Sequence, residues 1–116
     1  MKVFGREVRF LRTVEANFKI DEISPDNDMN NLAELLDSSN VSTSLNVQAQ
    51  MICILNEAYE KRQKFIDPNY ESHPITMEEI MMLDNEEFTQ LSDECLKAMA
   101  GKSTVELEAS KKKENQ

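Results

Sequence analysis

The chain has 116 residues, of which 40% are hydrophobic and 30% are charged, a composition typical of one soluble globular domain. Its 22 acidic residues outnumber its 13 basic ones, and the net charge of −9 argues against a general nucleic-acid-binding protein. No apolar run approaches the length of a membrane-spanning helix, and the N-terminus lacks the apolar region of a signal peptide. The two cysteines are isolated from each other in the sequence, which favours a reducing cytoplasm.

Residues 1–14 have the pattern of a short β-hairpin. Apolar and charged residues follow Gly5 in alternation, with Val8 and Phe10 on one face. Because an isolated hairpin is barely stable in water, this one is expected to pack on helices. A short helical turn is predicted within residues 15–24. Its inward-facing candidates are Phe18, Ile20 and Ile23.

Helices are predicted over most of residues 28–100. Asp28 is a candidate cap for a first helix that extends to about Asp37. The longest helix is predicted from Ser44 to Phe65, because apolar residues recur at helical spacing along it. The residues of this apolar stripe are Val47, Met51, Ile54, Leu55, Ala58 and Tyr59, broadened by Ile52.

After a loop over residues 66–74, the same helix-start signal occurs twice. Thr76 with Glu79, and then Asp84 with Glu87, have the spacing of a capping box. These glutamates also lie in first turns, where the helix dipole favours negative charge. Two short-range helix starts therefore account for the glutamates without a catalytic role.

Together these elements predict an α+β, predominantly α fold, in which a short N-terminal hairpin packs on a bundle of about four helices. The single globular domain is expected over residues 1–102, with Gly101 ending the last helix. Residues 103–116 are predicted to be a strand or a tail, and their Lys-rich end is expected to be disordered.

No catalytic, cofactor-binding or metal-binding residue is predicted. His73 is the only histidine and lies in a proline-bounded loop without a neighbouring nucleophile. A calcium loop beginning at Asp26 would need glycine at its sixth position and glutamate at its twelfth, where this chain has Asn31 and Asp37. Two glycines in the whole chain are too few for a phosphate-binding loop. An enzyme is therefore not expected.

Four pieces of the sequence occur in a recognisable order. They are the opening MKVFGREVRFLRTV, a long helix ending in NEAYEKRQKF, the stretch HPITMEEIMMLDNEEFTQLSDECLKAM, and a Lys-rich end. In this order they resemble the tail assembly chaperones of long-tailed bacteriophages and related prophages of Gram-positive bacteria. The resemblance covers nearly the whole chain, and its motifs are helix starts and apolar spacing.

The resemblance implies a non-enzymatic protein of the bacterial host cytoplasm, not expected in the mature virion. Such a protein binds the long helical tape measure protein and helps to recruit tail tube protein. It often has a longer form of itself, made by a programmed ribosomal frameshift near its end. Residues 111–113, three lysines, suit a slippery codon run, and a solubilising tail explains them equally. Segregated charge permits a homo-oligomer without requiring one. No cofactor, nucleic acid or membrane is expected as a partner.

A partner-binding surface is expected where apolar residues exceed what one core face can bury. Residues 80–83 form an all-apolar turn, and methionine adapts readily to different partners. An amphipathic partner helix is the expected ligand. The predicted partner-binding residues are Met77, Ile80, Met81, Met82, Met51, Leu55 and Tyr59. The alternatives are a small acidic regulatory adaptor that binds a host or phage protein, and a structural tail component.

Overall fold

The computed structural model describes residues 1–33 and 41–101. Four α-helices lie wholly within these residues, namely α1 (Val14–Ile23), α2 (Val41–Ile66), α3 (Met77–Met81) and α4 (Asn85–Met99). Two short strands precede them, β1 (Lys2–Val3) and β2 (Arg6–Glu7). The α+β, predominantly α fold is therefore confirmed. The predictions for residues 34–40 and 103–116 lie outside the described residues.

The N-terminal hairpin is antiparallel, and Lys2 lies opposite Glu7 in its register. Phe4 and Gly5 form the connecting turn, with φ angles of 48° and 84°. Positive φ at both positions matches the tight two-residue turns that follow the twist of paired strands. Val3 is buried and anchors the hairpin in the core of the domain.

The predicted hairpin over residues 1–14 is wrong in its extent. The strands end at Glu7, and residues 8–13 connect to α1 without forming a strand. The backbone amide of Leu11 donates to the Leu55 carbonyl at 3.1 Å, and the Arg9 carbonyl accepts from the Asn56 side chain at 2.8 Å. The backbone of this segment therefore satisfies part of its hydrogen bonding on α2.

Helix α1 begins at Val14 because Thr13 caps it. The Thr13 side chain accepts a hydrogen bond from the backbone amide of Ala16 at 3.1 Å. Ala16 and Ile20 face the core, but the prediction that Phe18 faces inward is wrong, since its side chain is exposed. Two residues before Ile20, Phe18 lies on the opposite face of the helix.

Two consecutive 3₁₀ turns occupy the region where the first long helix was predicted to begin. Asp26 and Asn27 have positive φ angles of 57° and 54°, which interrupts any continuous α-helix. The predicted capping role of Asp28 is confirmed, since its side chain accepts from the Asn30 amide at 2.9 Å. The two turns are Pro25–Asn27 and Met29–Asn31.

Helix α2 is the central element, and α1, α3 and α4 all contact it. Its buried side chains spread around more than half of the helix, because it has neighbours on several sides. The predicted stripe is confirmed at Val47, Met51, Leu55 and Ala58, which are all buried. From the other elements the core receives Val3, Val8, Ala16, Ile20, Leu32, Ile75, Ile80, Leu91, Cys95 and Ala98.

Both predicted capping boxes are confirmed. Thr76 Oγ1 accepts from the Glu79 amide at 3.2 Å, while the Glu79 carboxylate accepts from the Thr76 amide at 3.1 Å. Asp84 and Glu87 form the same pair of bonds at 2.8 Å and 3.1 Å. Gly101 ends α4 in the left-handed conformation, with φ at 72°, as predicted.

A buried asparagine joins three parts of the chain. Asn56 lies inside α2, and its amide nitrogen donates to the Arg9 carbonyl at 2.8 Å. Its side-chain oxygen accepts from the backbone amide of Ile75 at 2.7 Å. Through this one side chain, α2 fixes both the segment before α1 and the residue that leads into α3.

Candidate functional site

The turn between α3 and α4 exposes two methionines. Met81 is 59% and Met82 is 69% exposed, although both belong to a run of four apolar residues. The turn is closed by backbone bonds from Met82 to the Glu79 carbonyl and from Leu83 to the Ile80 carbonyl, each at 3.1 Å. We call the exposed pair the Met81–Met82 corner.

The residues on either side of the corner pack against the core. Ile80 is buried, and Met77 and Leu83 are partly buried against the same core cluster. The apolar run from Ile80 to Leu83 is thus divided, since its ends pack inward while its middle two side chains face solvent. A fixed backbone that carries two flexible apolar side chains offers surface that can adapt to a ligand.

Acidic residues flank the corner along the chain. Glu78 precedes it on α3, and Asp84 and Glu86 follow it at the start of α4; all three are exposed. Glu78 and Glu86 lie in the first turns of α3 and α4, and Asp84 is the cap of α4. The corner is therefore an apolar spot within an acidic rim, and a partner with basic residues beside its apolar stripe fits it best.

Glu79 connects the N-terminal hairpin to the corner. Arg6 of β2 donates to its carboxylate at 2.9 Å and forms a partly buried ion pair with it. Burial raises the pKa of Glu79, but hydrogen bonds from Arg6 and Thr76 outweigh burial, so the pKa lies below its usual value of 4.5. The ionised form is therefore the one that the folded protein stabilises.

The lowered pKa of Glu79 predicts a specific loss of stability in acid. A carboxylate with a depressed folded-state pKa stabilises the fold above its unfolded-state pKa, and this contribution disappears as the pH falls through the folded-state value. Glu79→Gln, which keeps the capping geometry, should reduce the stability lost between about pH 6 and pH 3. The measurement is urea unfolding at a series of pH values.

Glu78→Gln is the matched control, because Glu78 is an exposed neighbour on the same helix and has no ion pair within the described residues. It should leave the acid dependence of stability unchanged. An equal acid dependence in wild type and Glu79→Gln would contradict the role assigned to the Arg6–Glu79 pair.

The other predicted partner-binding residues are less accessible. Met51 and Leu55 are fully buried within α2, and Tyr59 is half-buried one turn further along. Buried side chains pack against the core in this structure and present no surface to a partner. Of the seven predicted residues, the structure brings Met77, Ile80, Met81 and Met82 together, and only the last two are exposed.

Sequence reasoning missed the most exposed apolar side chains. Phe65 and Ile66 end α2 with exposures of 88% and 65%, and Val14 and Phe18 are exposed on α1. For α1 a signal was present, since Ala16, Ile20 and Ile23 alone have core spacing and leave the opposite face to Val14 and Phe18. For α2 the helical apolar spacing continues to Phe65 and gave no signal of its exposure.

The two thiols are buried or partly buried, and the only histidine of the sequence is exposed. Cys95 is buried, and burial raises the pKa of its thiol to about 12. Burial also raises the pKa of Cys53. His73 is exposed, and its backbone amide donates to the buried carboxylate of Glu60 at 3.0 Å. Tyr70 donates to the same carboxylate, which raises the Tyr70 pKa to about 12.

Within residues 1–33 and 41–101, no three His, Cys, Asp or Glu side chains are grouped so that they could hold a metal ion. In the same part of the chain, no helix is long and apolar enough to cross a membrane. No family model, curated protein or solved structure matches this chain. The structure shows a small, predominantly helical protein with an exposed apolar corner.

Proposed function

We propose that this chain is a tail assembly chaperone of a long-tailed bacteriophage or prophage. It binds the tape measure protein in the bacterial cytoplasm, keeps it soluble, and helps to recruit tail tube protein. It acts by binding other proteins and does not catalyse a reaction. The proposal is supported by the order of sequence motifs and by the exposed apolar surface that such binding needs.

The observation that carries the proposal is the exposure of Met81 and Met82 on a fixed turn. Adjacent exposed methionines are costly to leave in water, and apolar patches of this kind mark interaction sites. Flexible thioether side chains can repack against different apolar side chains along a long helix. This adaptability suits a partner with many similar turns rather than one unique epitope.

The acidic rim has a second role in this mechanism. When a protein of net charge −9 binds an apolar helix, the complex carries that negative charge. Like charge then keeps one complex from adhering to the next. The chaperone thereby covers the apolar side chains of the bound segment, and its negative charge keeps neighbouring complexes from aggregating.

The decisive variant is Met81→Asp together with Met82→Asp. Both side chains are exposed, so the domain should remain folded by circular dichroism. Binding to the tape measure protein encoded by the same genome should fall at least tenfold, because two charges replace the apolar contact. The measurement is co-purification on co-expression, followed by titration with the bound tape measure segment.

Val14→Asp with Phe18→Asp is the matched control. It also replaces two exposed apolar side chains with two carboxylates, but on α1. It should retain full binding. Undiminished binding by the folded corner variant would contradict the proposed site. A gene placed among early regulatory genes, rather than between those for the major tail protein and the tape measure protein, would favour the acidic regulatory adaptor instead.

A further inference from the structure

The end of α2 presents an apolar surface that the corner does not explain. Its last two residues, Phe65 and Ile66, are largely exposed, and they follow Lys61, Arg62 and Lys64 on the same two turns. We call these five residues the Phe65 surface. Phe4 and Phe18 are also exposed, but Phe65 is the most exposed of the large apolar side chains in the described residues, and it adjoins a cluster of cations. Aromatic residues and arginine are enriched at the centres of interfaces.

Two shallow hollows lie beside Phe65. One, of about 260 Å³, is formed with Ser72 of the following loop, and the other, of about 230 Å³, with Thr13 at the start of α1. Lys61 and Phe65 line both hollows, so the two lie side by side at the end of α2. An aromatic ridge between two hollows can receive two apolar side chains of one partner. Side chains three or four residues apart on a helix, about 5–6 Å from each other, have that arrangement.

The rim of the Phe65 surface is basic, although the protein as a whole is acidic. Lys61 is paired with Glu15 at 2.8 Å, and Lys64 donates to the carbonyls of Pro68 and Tyr70, which leaves its charge unneutralised. Arg62 is exposed and has no ion-pair partner within the described part of the chain. Lys61 also lies 3.7 Å from Glu57, so the three cations face two carboxylates. The remaining positive charge, on Arg62 and Lys64, favours a negatively charged partner.

We propose that the Phe65 surface binds an acidic amphipathic helical segment of another protein. The partner places two large apolar side chains in the hollows on either side of Phe65, and its carboxylates face Arg62 and Lys64. Nucleic acid fits less well, because the net charge is −9 and one of the three cations is already paired.

This site is separate from the Met81–Met82 corner. Asn56 bonds the residue before the cap of α3, and Phe65 lies nine residues further along α2, about 14 Å along the helix axis. The two surfaces thus belong to different elements, the end of α2 and the turn between α3 and α4. Binding at the Phe65 surface does not require a particular partner at the Met81–Met82 corner.

The test is selection from a displayed library of 16-residue helical peptides, with immobilised wild-type chain as the target and Phe65→Ser chain as the counter-target. The recovered sequences are expected to be net negative, with two large apolar residues three or four positions apart. The best of them should bind wild type at least tenfold more tightly than Phe65→Ser. A twin peptide with lysine at its acidic positions should bind at least tenfold more weakly.

Phe18→Ser is the control, because Phe18 is an exposed phenylalanine on α1, and it should bind the selected peptide as wild type does. Because Phe65 is 88% exposed, Phe65→Ser should fold normally by circular dichroism. Recovery of no such sequence, or equal binding by the lysine twin, overturns the proposal. So does self-association in sedimentation that Phe65→Ser abolishes, which would make a second copy the occupant, or tighter binding of a single-stranded oligonucleotide than of the acidic peptide.

Discussion

Replacing Asn56 with leucine is expected to lower the free energy of unfolding by about 2 to 4 kcal/mol, because the buried Ile75 amide and the partly buried Arg9 carbonyl lose their partner. Asn56 is 2% exposed, and it bonds the Arg9 carbonyl at 2.8 Å and the Ile75 amide at 2.7 Å. Leucine has a similar volume but can neither donate nor accept a hydrogen bond. Urea unfolding followed by circular dichroism measures the difference.

The control for this substitution is Asn46→Leu, which makes the same change at an exposed position of α2. Its effect should lie within about 0.5 kcal/mol of zero. A loss at Asn56 no larger than the loss at Asn46 would contradict the role of Asn56 in joining the segment before α1, the central helix and the approach to α3.

Leu55→Ala is the second substitution with a large expected effect, a loss of about 2 to 5 kcal/mol in the free energy of unfolding. Leu55 is 0% exposed and lies in the core among side chains of several elements. Truncation removes buried apolar surface and leaves a cavity that the surrounding helices fill only in part. The same urea titration reports the change.

Leu45→Ala is matched to it in residue type and helix, because Leu45 is 45% exposed near the start of α2. It should cost about 0.5 kcal/mol. The comparison also decides between two interpretations of Leu55, which the sequence pattern placed among the partner-binding residues. Equal stability losses at the two positions would mean that Leu55 is not a core residue and is available to a partner.

The parts of the fold that depend on local chemistry were predictable from the sequence. A capping box involves only residues three positions apart, so Thr76 with Glu79 and Asp84 with Glu87 specify two helix starts regardless of the rest of the chain. The long central helix was predictable for a similar reason, since its apolar spacing is sustained over several turns.

The errors arose where distant parts of the chain decide local structure. Residues 8–13 have the alternation of a strand, but the Arg9 carbonyl and the Leu11 amide bond to α2, more than 40 residues later. Phe18 is apolar, yet it faces solvent because the neighbouring helices lie on the other side of α1. The first outcome does not follow from sequence spacing alone, whereas the spacing of Ala16, Ile20 and Ile23 was enough to place Phe18 on the outer face of α1.

The candidate site was predictable in position but not in detail. A run of four apolar residues between two helix starts indicated that some of them remain exposed. Which of them do so depends on packing, because Ile80 enters the core while Met81 and Met82 do not. Phe65 could not be identified in this way, since its spacing matches that of the buried residues of α2 while its side chain is exposed.

The proposed role of the Met81–Met82 corner is to hold a helical segment of the tape measure protein. Amide hydrogen exchange of the chain, alone and in complex with that protein, tests this most directly. On binding, we expect slower amide exchange in residues 77–84 and an unchanged exchange rate in residues 14–23 of α1. A stable complex in which residues 77–84 exchange as fast as in the free chain would contradict it.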